Sequence, residues 1–190
     1  YVHGTGIELL NIPGDAWWSR YWSLVAVLLT AHTVDLEEFV GRTNVAEVEA
    51  HLARNAKRVE QQVKTAIDAA RLALSTYQQG MMLAVDAARW ETSRDQGAGW
   101  EYRAEVECPA CGAYGSAESD SYDDYDRNWS GDPEETPTLT VRFTPEYFSC
   151  PNCHLVLSEY DLVEEAGLAV EQETEIEDDG RGWEPEYGND

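Results

Sequence analysis

From Trp17 onward the apolar positions recur at helical spacing. Trp18, Trp22, Val25 and Leu29 make one stripe, and Trp17, Tyr21, Leu24 and Leu28 make the next. This predicts a helix from Asp15, a candidate N-cap, to about His32. A segment apolar around most of its circumference is expected to be buried on more than one side. Residues 1–14, with Gly4, Gly6, Pro13 and Gly14, read as an irregular lead-in, and Thr33 to Val40 as a short turn of helix closed by Gly41. A longer pattern opens at Asn44-Val-Ala-Glu47, which has the spacing of a capping box. Val45, Val48, Leu52, Ala56, Val59, Val63, Ile67, Ala70, Leu74, Tyr77, Met81, Ala84 and Ala88 then follow at a mean step of about 3.6, the period of a straight helix. One very long helix is predicted, with Gly80 as the position able to bend or interrupt it. Its stripe exceeds what the shorter helix before it can cover, so a second copy or another protein is expected on it, in a homo- or hetero-oligomer.

The helical pattern stops near Asp95-Gln96-Gly97-Ala98-Gly99, and strand-like runs follow. The predicted fold class is α+β: an α-helical docking or oligomerisation region over 1–97, a small antiparallel domain over 101–177, and a flexible acidic tail over 178–190. Charge divides at the same place. The 190-residue chain has 13 Lys and Arg against 37 Asp and Glu, a net −24. Residues 1–100 contribute 12 acids and 9 bases, and residues 101–190 contribute 25 acids and 4 bases, so nearly all the excess lies in the second half. A surface that grips nucleic acid needs clustered Lys and Arg, which the second half lacks. The longest apolar run, Trp22 to Thr30, is nine residues and far below the roughly 20 of a membrane span. With no signal segment visible either, the expected location is cytoplasmic.

Four cysteines supply the candidate chemistry. Cys108-Pro-Ala-Cys111-Gly112 and Cys150-Pro-Asn-Cys153-His154 are two near-identical short turns. Each places two sulfurs on one side of a tight loop, and two such knuckles facing each other offer four thiolates in a tetrahedron, the arrangement of a structural Zn2+ with no position open to substrate. Gly112 suits the positive φ that lets backbone N–H groups point at sulfur, and His154 takes the equivalent place in the second turn, which makes it a turn residue rather than a fifth ligand. A thioredoxin-like redox pair would need one Cys-x-x-Cys opening a helix, whereas both turns here sit between strand-like runs. Structural disulfides would need an oxidising compartment, of which the sequence gives no sign.

Arg103 to Cys111 and Leu139 to Leu157 resemble a zinc ribbon: strand, Cys-Pro-x-Cys knuckle, return strand, and a second knuckle opening another strand. Tyr147-Phe-Ser-Cys-Pro-Asn-Cys-His-Leu-Val-Leu, with Tyr160-Asp-Leu-Val-Glu-Glu-Ala-Gly-Leu after it, is similar to C-terminal ribbons of many uncharacterised bacterial proteins. Those often carry a helical, HEPN-like or defence-associated region beside the ribbon. His154 departs from the Gly usual there, and the 38-residue spacer between the Cys pairs exceeds the usual length. HEPN ribonuclease activity would need Arg four to six residues before a His on one helix. His3, His32, His51 and His154 have no such Arg, so the resemblance implies a non-catalytic helical region.

Two further groups complete the candidates. Arg54, Lys57, Arg58, Lys64 and Arg71 cluster on the side of the long helix away from its apolar stripe. They are either a solvated face or a docking line for the acidic half of the chain or for phosphates. The spacer 116–137 reads as a mobile acidic loop. Within it Asp124, Asp126, Asn128, Ser130, Asp132 and Glu135 fall at calcium-loop spacing, although Trp129 stands where that loop demands Gly. Leu168 to Glu177 alternates Glu with other residues, as an edge strand with an acidic outer face would. No nucleophile set or phosphate-cradling loop can be assembled. The expected function is therefore a non-enzymatic, zinc-stabilised interaction module that binds a basic partner surface, and the resemblance implies a bacterial defence or regulatory assembly. The alternatives are a non-catalytic nucleic-acid-related effector subunit acting through the long helix, and an acidic inhibitor that mimics DNA.

Overall fold

A computed structural model of the chain describes residues 14–92, 96–128 and 136–178. The elements in order are α1 (Gly14–Ala31), α2 (Leu36–Val40), α3 (Val45–Gln78), α4 (Ala84–Thr92), β1 (Tyr102–Glu107), β2 (Tyr114–Ser119), β3 (Asp124–Asn128), β4 (Thr138–Phe143), β5 (Tyr147–Ser149), β6 (Val156–Leu157), α5 (Tyr160–Glu165) and β7 (Gln172–Glu177). The class is mixed α+β: helices with one of 34 residues come first, then two small antiparallel sheets. The chain forms two compact units, 1–62 and 63–190, which part inside α3. Among the described residues no helix is long and apolar enough to cross a membrane.

The first unit holds α1, α2 and the start of α3. The Asp35 carboxylate caps α2 by accepting from the Glu37 and Glu38 N–H groups at 2.7 and 3.3 Å. Gly41 ends it at φ 80°. Asn44 stands just before α3, and its side-chain amide donates back to Val40 O at 2.8 Å. Val25 and Leu29 of α1 are buried, as are Val48 and Val59 of α3, along with the polar Ser19, His51 and Asn55. Asn55 Nδ2 donates to Ser23 Oγ at 2.9 Å, and Ser23 Oγ donates to Ser19 O, so a hydrogen-bonded seam joins the two helices. The expectation that α1 is buried on several sides is corrected. Trp17, Trp18, Tyr21, Leu24, Val27 and Leu28 stay exposed, because α1 turns only its Ser19–Val25–Leu29 side inward.

In the second unit α3 stops at Gln78, short of the predicted Ala88. Gly80 adopts φ 66°, its N–H bonds Tyr77 O, and Met81 N–H bonds Thr76 O. This closing motif consumes the terminal carbonyls and forces a restart at α4. Gly167 closes α5 in the same manner.

One sheet has the order β1-β2-β5-β6 and the other β3-β4-β7, all pairs antiparallel. Ala104, Ala117, Phe148 and Leu157 stand side by side across the first sheet. Phe148 and Leu157 are fully buried with Val163 of α5, Ala70 of α3 and three of the cysteines, and Ala66, Ile67 and Leu74 pack on that cluster. Tyr102, Val141 and Phe143 form a smaller core with Ala104, Leu139 and Ile176.

The spacer is not the loop that its charge suggests. β2 runs to Ser119, and Asp124–Asn128 is strand β3, paired residue for residue with β4. Self-repulsion is met across the strand: Arg142 reaches Asp124 at 2.7 Å and Asp126 at 2.9 Å, with Glu173 of β7 at 3.9 Å. β7 is an edge strand with Glu173, Glu175 and Glu177 facing outward, as its alternation predicts. Residues 129–135 and the tail from 179 onward lie outside the described residues.

Candidate metal centre

The first knuckle joins β1 to β2 and the second joins β5 to β6. In each, the first Cys N–H bonds a carbonyl five residues on, Cys108 to Ala113 at 2.8 Å and Cys150 to Leu155 at 2.9 Å. Its carbonyl accepts from the residue four on, Gly112 or His154, at 2.9 Å. Such a turn needs a left-handed residue after the second Cys. Gly112 supplies it at φ 73° and His154 at φ 59°, the equivalence seen in the sequence.

Pairing β2 with β5 brings the knuckles face to face. The four Sγ atoms all lie within 4.8 Å of one another, with Cys108 to Cys153 and Cys111 to Cys150 at 3.6 Å each. A tetrahedral site with metal–sulfur bonds of about 2.3 Å has sulfurs about 3.8 Å apart. These four therefore could hold a metal ion with little adjustment. Cys108, Cys150 and Cys153 are buried, and Cys111 is half-buried. Among the described residues this is the one grouping of Cys, His and carboxylates that approaches so closely.

Backbone N–H groups turn toward the sulfurs. Ala110 N–H donates to Cys108 Sγ at 3.4 Å, joined by the N–H of Cys111. The N–H groups of Cys153 and Asn152 serve Cys150, and that of Leu155 serves Cys153. The Asn152 amide donates to Cys111 Sγ at 3.4 Å. The hydrogen bond shared with Cys153 holds the Cys108 thiol down at about 5, and the same bond with burial raises Cys153. Burial pushes Cys150 up to about 11. A divalent cation binds cysteines as thiolates and displaces their protons.

Two helical residues brace the knuckles from behind. Arg71 of α3 donates through Nε to Ala110 O at 2.9 Å and through an Nη to Pro109 O at 2.8 Å. Trp90 of α4 stacks on His154, and Tyr77 stacks on Trp90. His154 is therefore a turn and stacking residue, and it stands outside the sulfur cluster.

The other candidates disperse. Arg54 bonds His51 at 2.8 Å, and Arg58 bonds Asn55 and Gln62 on its own helix. Lys57 and Lys64 are exposed. Arg71 bonds the Ala110 and Pro109 carbonyls of the first knuckle. Of the calcium-spaced set, Asp124, Asp126 and Asn128 lie along strand β3 instead of around a turn. The two Asp carboxylates bond Arg142, and Asn128 bonds Thr140. Asp132 and Glu135 lie outside the described residues.

Sequence reasoning missed Glu118, whose side chain is 0% exposed. Its carboxylate accepts from the N–H groups of Gly99 and Trp100 at 3.0 and 3.2 Å and from Ser116 Oγ, with Arg103 at 3.6 Å. It anchors the approach to β1 on β2. One buried acid among 37 carries no local mark in the sequence.

The fold and the site thus define an α+β chain with four cysteines clustered within metal-binding distance of one another. Comparison of the chain with protein-family models, curated proteins and solved structures finds no match.

Proposed function

We propose that this chain is a non-enzymatic protein-interaction module, whose β unit is a zinc ribbon built on a structural Zn2+ held by Cys108, Cys111, Cys150 and Cys153. The observation that carries the reading is four Sγ atoms within 4.8 Å, with both knuckles hydrogen-bonded into place. Four protein thiolates fill a tetrahedral ion and leave no position for substrate. The metal then stabilises the fold, and in such small domains its binding free energy is folding free energy.

The partner reading rests on charge. Asp124, Asp126, Glu173, Glu175 and Glu177 share one face of the second sheet with a single cation, Arg142. That face repels phosphate and attracts a basic protein surface. The uncovered stripe of α1 is where a second copy packs, giving a species above 21.3 kDa in light scattering. Placement in a bacterial defence or regulatory assembly follows the resemblance. The alternative of an effector docking nucleic acid on the long helix draws support only from the exposed Arg54, Lys57 and Lys64.

Metal analysis of the purified chain tests the centre: one zinc per chain is expected, and Cys150→Ser should unfold the β unit while sparing most helical signal. Cysteines found as disulfides, or a folded β unit without metal, would overturn it. Charge changes separate the partner readings. Replacing Glu173, Glu175 and Glu177 with Gln should abolish capture of a basic partner, whereas loss on converting Arg54, Lys57 and Lys64 to Glu would favour the nucleic-acid reading.

A further inference from the structure

We infer that Arg71 is a positioning residue of the metal centre, clamping the two peptide groups whose N–H bonds hold the Cys108 sulfur. The inference rests on the metal reading above and extends it to a residue outside the knuckles. Arg71 Nη2 binds Pro109 O, and the N–H of that same peptide is Ala110 N–H, which donates to Cys108 Sγ at 3.4 Å. Arg71 Nε binds Ala110 O, and the N–H of that next peptide belongs to Cys111, also directed at Cys108. The carbonyl and N–H of a trans peptide point in opposite directions. The guanidinium therefore grips the far ends of both dipoles whose near ends face the sulfur.

Three consequences follow from that geometry. A charged donor on each carbonyl polarises its peptide and strengthens the bond that the N–H makes to sulfur. The planar fork fixes two successive peptides at once, which a point charge cannot do. The positive charge also faces a centre that four thiolates leave net negative around a divalent ion. Arg71 is set for this role by packing: Ala66, Ile67, Ala70 and Leu74 of the same helix lie against the cluster that contains Cys108, Cys150 and Cys153. Asp68 sits 3.9 Å from the guanidinium, one turn back on the exposed side.

The test uses the full chain loaded with Zn2+ or Co2+. Metal transfer to a chromophoric chelator is timed for wild type, Arg71→Ala, Arg71→Lys and the control Lys64→Ala. Partners in this outer position are typically worth about 10-fold to 100-fold in metal affinity. Arg71→Ala should release metal at least about 10-fold faster than wild type, Arg71→Lys should fall between them, and Lys64→Ala should match wild type. In the Co2+ form, Arg71→Ala should also shift the thiolate charge-transfer band. Wild-type release rates and an unmoved band in Arg71→Ala would overturn the inference, even if its thermal midpoint fell, because the arginine would then be structural only. If Arg71→Ala does not fold, Arg71→Lys decides: a wild-type rate and band there overturn the fork argument. A wild-type chain that takes up neither metal would sink the metal reading itself, and the two failures are thereby told apart.

Discussion

Trp90 lies flat on the imidazole of His154, with ring centroids 3.9 Å apart and planes within 13°. The contact joins α4 to the second knuckle, and Tyr77 of α3 extends the stack at 5.6 Å from Trp90. Aromatic pairs contribute about 0.5–1.5 kcal/mol beyond the area they bury, and Trp90 is also half-buried. Trp90→Ala is therefore expected to cost about 2 kcal/mol in urea unfolding of the metal-loaded chain. An unchanged midpoint would show that the stack stabilises nothing.

The same histidine separates backbone from side chain. At φ 59° a Cβ is strained, and glycine is not. Both His154→Gly and His154→Ala lose the ring, but only Ala retains the strain. The Ala variant should be less stable than the Gly variant by about 1 kcal/mol. Equal stabilities would mean that the knuckle relaxes out of the left-handed conformation.

Gly115 marks a close approach between strands. A Cβ there would sit 2.5 Å from Phe148 Cζ and 2.6 Å from Ser149 O. The carbonyl belongs to the β2–β5 pairing that sets the knuckles opposite each other, so it cannot yield cheaply. Gly115→Ala should destabilise the β unit by about 2–3 kcal/mol and weaken metal retention with it. A variant that keeps wild-type stability and metal content would refute the claim of a tight interstrand gap.

Asp124 gives the pH dependence of the second sheet. The hydrogen bond from Arg142, then that from its neighbour Tyr125 N–H, hold its carboxyl below the ordinary 3.8. The folded chain thus binds this proton less readily than the unfolded chain. The stabilisation is complete above the unfolded value and is lost as pH falls through the lower folded one. Neutral pH should leave it untouched. An NMR titration should find the Asp124 midpoint depressed in wild type and returned upward in Arg142→Met; identical midpoints in both would rule out the pairing.

The elements were legible where period and punctuation agreed. Gly41 ends its helix as read, and the repeated Cys-Pro-x-Cys pattern located four sulfurs that converge although 38 residues separate the pairs. Gly80 was visible as a possible break, but the apolar period ran on through Ala88, and only the hydrogen bonds at Thr76 and Tyr77 decide for a stop. The spacer misled because its composition resembles that of a solvated loop. Its strand pairs with β4, where Arg142 stands opposite Asp124 and bonds both Asp124 and Asp126. Arg71 and Glu118 were hidden for a related reason. The bonds of Arg71 to Ala110 and Pro109 and of Glu118 to Gly99 and Trp100 span 18 to 39 residues, and no local spacing records such a bond. The width of α1 in contact with its neighbours was illegible too, since periodicity reports which faces are apolar and not which are covered.

The acidic side chains of β7 bear on how the molecule behaves in a crowd. A strand at the rim of a sheet offers unmatched peptide groups to any similar rim it meets. Here every second residue from Glu173 to Glu177 carries a like charge, so two copies brought rim to rim repel before their backbones can zip together. The strand therefore discourages fibrous stacking at high concentration, a protection that would weaken in strong salt.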